Sequence, residues 1–124
     1  MIPSTYEPGG IVALEALRYG TVPIVRRTGG LDDIIQDFNP QSAKGNGFSF
    51  VQRNKYALFA AMIEALTVYK QPGLWKKLVA NCLACDFSWE NAAKHYDVWY
   101  KQVIEARRRA LSPAPHPAYM TSVV

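Results

Sequence analysis

Several things are scarce in this 124-residue chain, and each scarcity removes a class of function. No apolar run approaches the ~18 residues a bilayer span needs. The opening stretch, MIPSTYEPGG, lacks the basic segment and apolar core of a secretory signal. A cytoplasmic location is therefore expected, or a plastid if the source is a plant or alga. Charged residues make up only 19% and the formal net charge is +4, a mild basicity with no nucleic-acid motif behind it. Much of that charge sits at Arg26, Arg27 and Arg107 to Arg109, and the last three read as a solvated helix end. There are two cysteines, Cys82 and Cys85. A zinc site would need a second pair, and a thioredoxin-type site would need a strand-to-helix turn. His95 and His116 do not supply metal-ligand spacing. The pair reads as two buried small apolar residues one helical turn apart.

What is present is a hydrophobic content of 49%, enough for one small globular domain. MIPS reads as the tail of a strand. Ile11, Leu14, Ala16 and Leu17 follow at helical spacing, and Gly20 stops them. TVPIVRR (21–27) is a β-branched run of strand length, broken by TGG. LDDIIQDF (31–38) predicts a short helix or turn, NPQSAKGNG (39–47) a loop, and FSFV (48–51) a third short strand. A helix is expected from near Asn54, with Leu58, Ala61, Ala65, Leu66 and Tyr69 on one face. Pro72-Gly73 punctuates, and Leu74, Leu78 and Cys82 carry a second helix. Ser88 is the N-cap of a third, long helix through Ala92, Tyr96, Trp99 and Val103, whose pattern fades at Arg107. The alternation predicts an α/β fold of about three parallel strands plus C-terminal helices. One domain spans residues 1–110, followed by a flexible, proline-rich tail at 111–124. So few strands, the first cut short, make the chain look like half of a domain with an unpaired inner sheet edge and a tendency to self-associate.

The chemistry concentrates at YEPGGIVALEALRYG (6–20), where a glycine turn lies between two acids in a Glu-x7-Glu pattern. Ligands of parallel sheets bind beyond the carboxyl ends of the strands. Glycines there let backbone N–H groups approach a ligand closely, and a helix N-terminus favours a phosphate. Glu7 is placed to meet sugar hydroxyls, and Glu15 a second pair of hydroxyls such as those of a ribose. Each acid also has a plainer reading, Glu7 as a helix cap and Glu15 as a solvated helix residue. Thr28, Gly29 and Gly30 end the following strand. The two turns are expected to open side by side on one crevice suited to a nucleotide sugar.

PSTYEPGGIVALEALRYGTVPIVRRTGG (3–30), NGFSF (46–50) and LWKKLVANCLACDFSWENAAKHYDVWY (74–100) resemble the donor-binding part of bacterial glycogen synthases and plant starch synthases. These are retaining glycosyltransferases of two Rossmann-like domains, the GT-B fold, and the resemblance covers about the first 110 residues. It implies the second half of the C-terminal, nucleotide-sugar-binding domain. The implied activity is transfer of glucose from ADP-glucose or UDP-glucose to the nonreducing end of an α-1,4-glucan, with retention and with no metal or other cofactor. By this match Glu7 is the catalytic-site acid that holds donor-glucose hydroxyls. Gly9, Gly10 and Ile11 contact glucose and phosphates through their backbone, Thr28, Gly29 and Gly30 line the donor site, and Glu15 falls at the ribose. The helix from Ser88 is similar to the one that closes this family and packs back toward the N-terminal domain.

The chain departs from the family at Gly9, usually Cys, at Ile11, usually Leu, and at Glu15, usually Gln. The acid at 15 is closer to the wider retaining group, which includes sucrose and trehalose-phosphate enzymes. Against the family the chain would lack the acceptor-binding N-terminal domain and the Arg and Lys that neutralise the diphosphate. The isolated chain is accordingly expected to be inactive, its partners being a nucleotide sugar, an α-glucan and the rest of the same enzyme. Two alternatives stand beside this one: a transferase of the same fold with another donor or acceptor, and a non-catalytic remnant that pairs with a partner subunit.

Overall fold

The computed structural model describes residues 1–111. They form two compact units, Met1–Cys85 and the segment from Asp86 onward. The first unit runs α1 (Ile11–Arg18), β1 (Ile24–Arg26), α2 (Gly30–Ile34), β2 (Phe48–Phe50), α3 (Lys55–Tyr69) and α4 (Pro72–Ala84). The second holds α5 (Trp89–Leu111).

β1 and β2 pair in parallel, with Ile24, Val25 and Arg26 opposite Phe48, Ser49 and Phe50. The expected strand tail at MIPS is a single bridge, Ile2 to Val25, on the other side of β1. Ile2 N–H donates to the Ile24 carbonyl at 2.8 Å, and Arg26 N–H to the Ile2 carbonyl at 3.1 Å. The fold is thus α/β with a small parallel sheet of two strands and one bridge, not three full strands. β1 is also shorter than the apolar run that predicts it. Pro23 lacks an N–H and ends the ladder on that side, although its carbonyl still accepts from Phe48 N–H at 2.9 Å.

Val25 is fully buried at the centre of this sheet, and the core around it draws Ala13 and Leu17 from α1, Leu31 from α2, Phe48 from β2, Ala65 and Val68 from α3, and Leu78 and Cys82 from α4. α1 ends where Gly20, at φ 68°, turns the chain. Gly20 N–H donates to Leu17 and Thr21 N–H to Ala16, so the last carbonyls of the helix are paired. α3 starts at Asn54, whose side chain accepts from Ala57 N–H at 2.8 Å. Its buried stripe is Ala61, Ala65 and Val68, whereas Leu66 and Tyr69 of the expected face are exposed. Two alanines at i and i+4 let the helix backbone come close to the sheet, and that selects the face with small side chains. Tyr69 stacks edge-on against Trp75 at 5.0 Å, across the α3–α4 turn.

The loop between α2 and β2 is tied down by two asparagines. Asn46, 93% buried, accepts from Gln36 N–H at 2.8 Å and donates to the Ile34 carbonyl at 3.0 Å and to Cys85 Sγ at 3.3 Å. Asn81 of α4 donates to the carbonyls of Ala43 and Gly45. Cys82 is buried as expected. Cys85 is only half-buried and takes part in this polar network, and both thiols are free. Burial, reinforced by neighbouring Cys85, pushes the Cys82 thiol up to about 11.

In the second unit, Ser88 Oγ accepts from Asn91 N–H at 3.2 Å, while Asp86 Oδ1 accepts from Ser88 N–H. α5 then runs 23 residues with none of them buried. It continues past Arg107, where the apolar spacing fades. The ion pairs Asp97–Lys101 at 2.6 Å and Glu105–Arg109 at 3.4 Å, one turn apart, support it instead. Of the predicted tail, residues 112–124 lie outside the described residues. No described helix is long and apolar enough to cross a membrane, and the described residues hold no cluster of potential metal ligands.

Candidate functional site

The two glycine turns are in contact at the carboxyl side of the sheet. Gly30 N–H donates to the carbonyls of Glu7, at 3.0 Å, and Pro8, at 3.3 Å. The approach leaves no room for side chains. A Cβ on Gly30 would lie 2.9 Å from the Pro8 carbonyl oxygen and 3.0 Å from the Gly9 carbonyl carbon. A Cβ on Gly29 would collide with the Glu7 carbonyl oxygen, and Gly29 sits at φ 49°, ψ −136°, a region closed to ordinary L-residues. Glycine is therefore required twice at this contact, by backbone shape and by proximity.

Glu7 is half-buried, and its Oε1 accepts from Gly10 N–H at 3.3 Å. The carboxylate folds over its own turn, which is the capping geometry that the sequence leaves open for it. A capping bond occupies one oxygen only, and Glu7 keeps a second for other donors. Gly10 is buried at φ 64° and is the N-cap of α1, without a side chain of its own to cap. Ala13 and Leu14 N–H groups both return to the Gly10 carbonyl, at 2.9 and 3.2 Å. The α-helical ladder leaves the N–H groups of Ile11 and Val12 unpaired at the positive end of the helix dipole. Gly9, Ile11 and Val12 are exposed, and the first turn of α1 carries no acid that would repel an anion.

Glu15 is exposed on the side of α1 away from the buried Ala13 and Leu17, one turn beyond Ile11. Thr28 is half-buried, and its carbonyl accepts from Leu31 N–H at 3.2 Å. The structure thus brings Glu7, Gly9, Gly10, Thr28, Gly29 and Gly30 together. It sets Ile11 and Glu15 on the neighbouring exposed face of the helix.

Both arginines between the turns are engaged. Arg27 Nε pairs with Asp32 Oδ1 at 2.5 Å, and that bond and charge hold the guanidinium above its usual range. Arg26 Nε donates to the Ser4 carbonyl at 2.7 Å, and its Nη2 to the Thr5 carbonyl. From the sequence, Arg26 counts only toward net charge. The available signal was its place as the last strand residue before a glycine turn. Beside it, a shallow cavity of about 210 Å³ is lined by Pro3, Arg26, Phe50, Arg53, Lys55 and Leu58. A larger cavity of about 410 Å³ lies between Phe38, Phe48, Ile63 and Val68 and contains none of the turn residues.

Residues 1–78 match the family model of the group 1 glycosyl transferases. The chain is 41% identical over 112 residues to a glycogen synthase of Kosmotoga olearia, which covers 90% of this chain and 24% of that protein. It is 44% identical over 112 residues to a glycogen synthase of Moorella thermoacetica, covering 90% and 23%. Among solved structures it is similar to the catalytic domain of starch synthase IV from Arabidopsis thaliana, bound to ADP and acarbose. The TM-score is 0.70 at 34% identity, over 83% of this chain and 22% of that one. The chain spans about a quarter of the length of the curated relatives it matches. With the matched residues covering both glycine turns and the whole sheet, the chain belongs to the group 1 glycosyl transferases.

Proposed function

We propose that this chain is the donor-binding part of a glycogen or starch synthase. The full enzyme moves glucose from ADP-glucose or UDP-glucose to the nonreducing end of an α-1,4-glucan, with retention. The observation that carries the proposal is the contact between the two turns. Gly30 N–H is bonded to the Glu7 carbonyl, and the half-buried Glu7 carboxylate stands beside the first N–H groups of α1, which have no partner in the helical ladder. A glucosylated diphosphate offers hydroxyls to the acid and phosphate oxygens to the amides. In this arrangement Glu7 orients the glucose through its hydroxyls. The backbone of Gly9, Gly10 and Ile11 meets glucose and phosphate, Thr28 to Gly30 form the facing wall, and Glu15 accepts from ribose hydroxyls. No metal or other cofactor is needed in this scheme.

Negative charge develops on the leaving diphosphate and needs fixed cations near it. Arg26 and Arg27 are held by Ser4, Thr5 and Asp32. The neutralising groups are therefore assigned to the rest of the enzyme, together with the glucan acceptor site. The 124 residues alone are expected to make no glucan, and the full enzyme is expected in the cytoplasm. The test is a chimaera in which this chain replaces the matching segment of the Geobacillus stearothermophilus glycogen synthase, to which it is 41% identical. The expected outcome is incorporation of labelled glucose into glycogen, reduced about 100-fold or more by Glu7→Gln. A well-folded chimaera inert with both ADP-glucose and UDP-glucose would overturn the proposal.

A further inference from the structure

We propose that Arg26 is a positioning residue that sets the place of Glu7 through the backbone of Ser4 and Thr5. The proposal rests on the reading of Glu7 as the acid that holds the donor sugar. Sheet pairing alone does not reach Glu7. The ladder on that side of β1 is one bridge, closed by Ile2 N–H to Ile24 and Arg26 N–H to Ile2. From Ser4 onward the chain has left the sheet, and its carbonyls need other partners.

Arg26 supplies them. Its backbone N–H holds the Ile2 carbonyl, and its guanidinium continues along the same segment to the carbonyls of Ser4 and Thr5. Gly30 N–H then takes up the Glu7 and Pro8 carbonyls from the opposite turn. Of the carbonyls from Ser4 to Pro8, only that of Tyr6 lies outside these two holds. The carboxylate of Glu7 is three bonds from a backbone gripped on both sides.

The grip suits arginine in particular. A planar guanidinium presents two N–H groups in a rigid fork, and adjacent carbonyls accept both. A lysine ammonium has three donors on a flexible stem but no rigid planar fork to match two adjacent carbonyls. Among the described residues Arg26 has no ion pair, so its charge strengthens the bonds to these carbonyls without competition from a carboxylate. Two of its five N–H donors are committed to the main chain, and the role proposed for Arg26 is exerted on the sugar site through that backbone. Displacements of a positioning group of about 1 Å cost catalysis on the order of 100-fold.

Two arms test this. In the 124-residue chain, amide hydrogen exchange is followed at Gly10, bonded to the Glu7 carboxylate, and at Gly30, bonded to the Glu7 carbonyl. Arg26→Met is expected to speed exchange at both amides about tenfold while Ile35 and the α3 amides stay as protected as before. Unchanged exchange at Gly10 and Gly30, or a uniform rise across the whole unit, overturns the proposal. In the chimaera, Arg26→Met is expected to lower kcat per folded enzyme about tenfold or more at an unchanged Tm, with Arg26→Lys recovering part of it. Added guanidinium should restore activity to Arg26→Ala. A kcat within twofold of the parent, or a loss explained by Tm alone, overturns it as well. Should the parent chimaera make no glucan, the glucan-synthase reading fails, and the exchange arm, which needs no donor, still decides the role of Arg26.

Discussion

Met1–Cys85 and the segment from Asp86 onward are held together in different ways. The first unit has short elements, strands of three residues and helices α1 and α2 of eight and five, which would not persist alone. They persist because Leu17, Val25, Leu31 and Leu78 are sealed from water and because glycine permits backbone to lie on backbone at Gly29 and Gly30. Among its described residues the second unit has one helix of 23 residues with no buried residue, supported by a Ser88 cap and ion pairs one turn apart. Long-range contact builds the unit that carries the candidate site, whereas the bonds within the described part of the other are local. A single substitution should therefore be felt far more in the first unit than in the second.

The largest effect is expected at Gly29. Gly29→Ala forces a Cβ into the Glu7 carbonyl at a positive φ, and should destabilise the first unit by about 3 kcal/mol in chemical unfolding. Gly73→Ala in α4 is the counterpart, because nothing lies within 4 Å of a Cβ there. It should stabilise by about 0.5 kcal/mol. Equal effects at the two glycines would break the claim that backbone proximity shapes the site.

An intermediate effect is expected from pH. The Cys82 thiol titrates near 9.0 in the unfolded chain and at about 11 in the folded one. A folded value above the unfolded one means that the burial contributes fully below pH 9, where both states hold the proton. Above that the unfolded state loses its proton first, and stability falls as pH rises from about 9 to about 11. The loss should approach ~2 kcal/mol. Thermal melts across that range should show a steeper decline for the parent than for Cys82→Ala, and parallel curves would contradict it.

The smallest effect belongs to α5. Lys101→Ala removes an exposed pair with Asp97 and should cost roughly 0.3 kcal/mol of helix stability, seen as a slight fall in helical circular dichroism. A loss comparable to Gly29→Ala would mean that α5 is not locally supported, and would remove the contrast between the units.

Some of this was legible in residue order because its causes are local. Asn54 and Ser88 are caps whose side chains act within three residues, Pro72 opens α4, and Gly20 closes α1. The turn glycines announced themselves as well, because Gly-Gly at the end of an apolar run has few other uses. The length of the strands was not legible, since MIPS lacks enough neighbours to show where its pairing stops. The buried face of α3 was not legible either. Periodicity allows Leu66 and Tyr69 on the core side as readily as Val68, and only the sheet beneath selects the alanine stripe. Arg26 and Asn46 were hidden for the same reason, their partners lying 22 and 39 positions away in Ser4 and Cys85.

By itself, then, residue order determined the kinds and order of the elements, the helix ends, and the two glycine turns with the acid beside the first. Those depend on propensity, capping and spacing, whose forces act within a turn or two of helix. Tertiary structure alone decided that the turns touch, that Glu7 is half-covered, and that Arg26 holds the segment leading to it. Those are contacts between residues distant in the chain, and their existence depends on a shared core that excludes water and brings the carboxyl ends of parallel strands side by side.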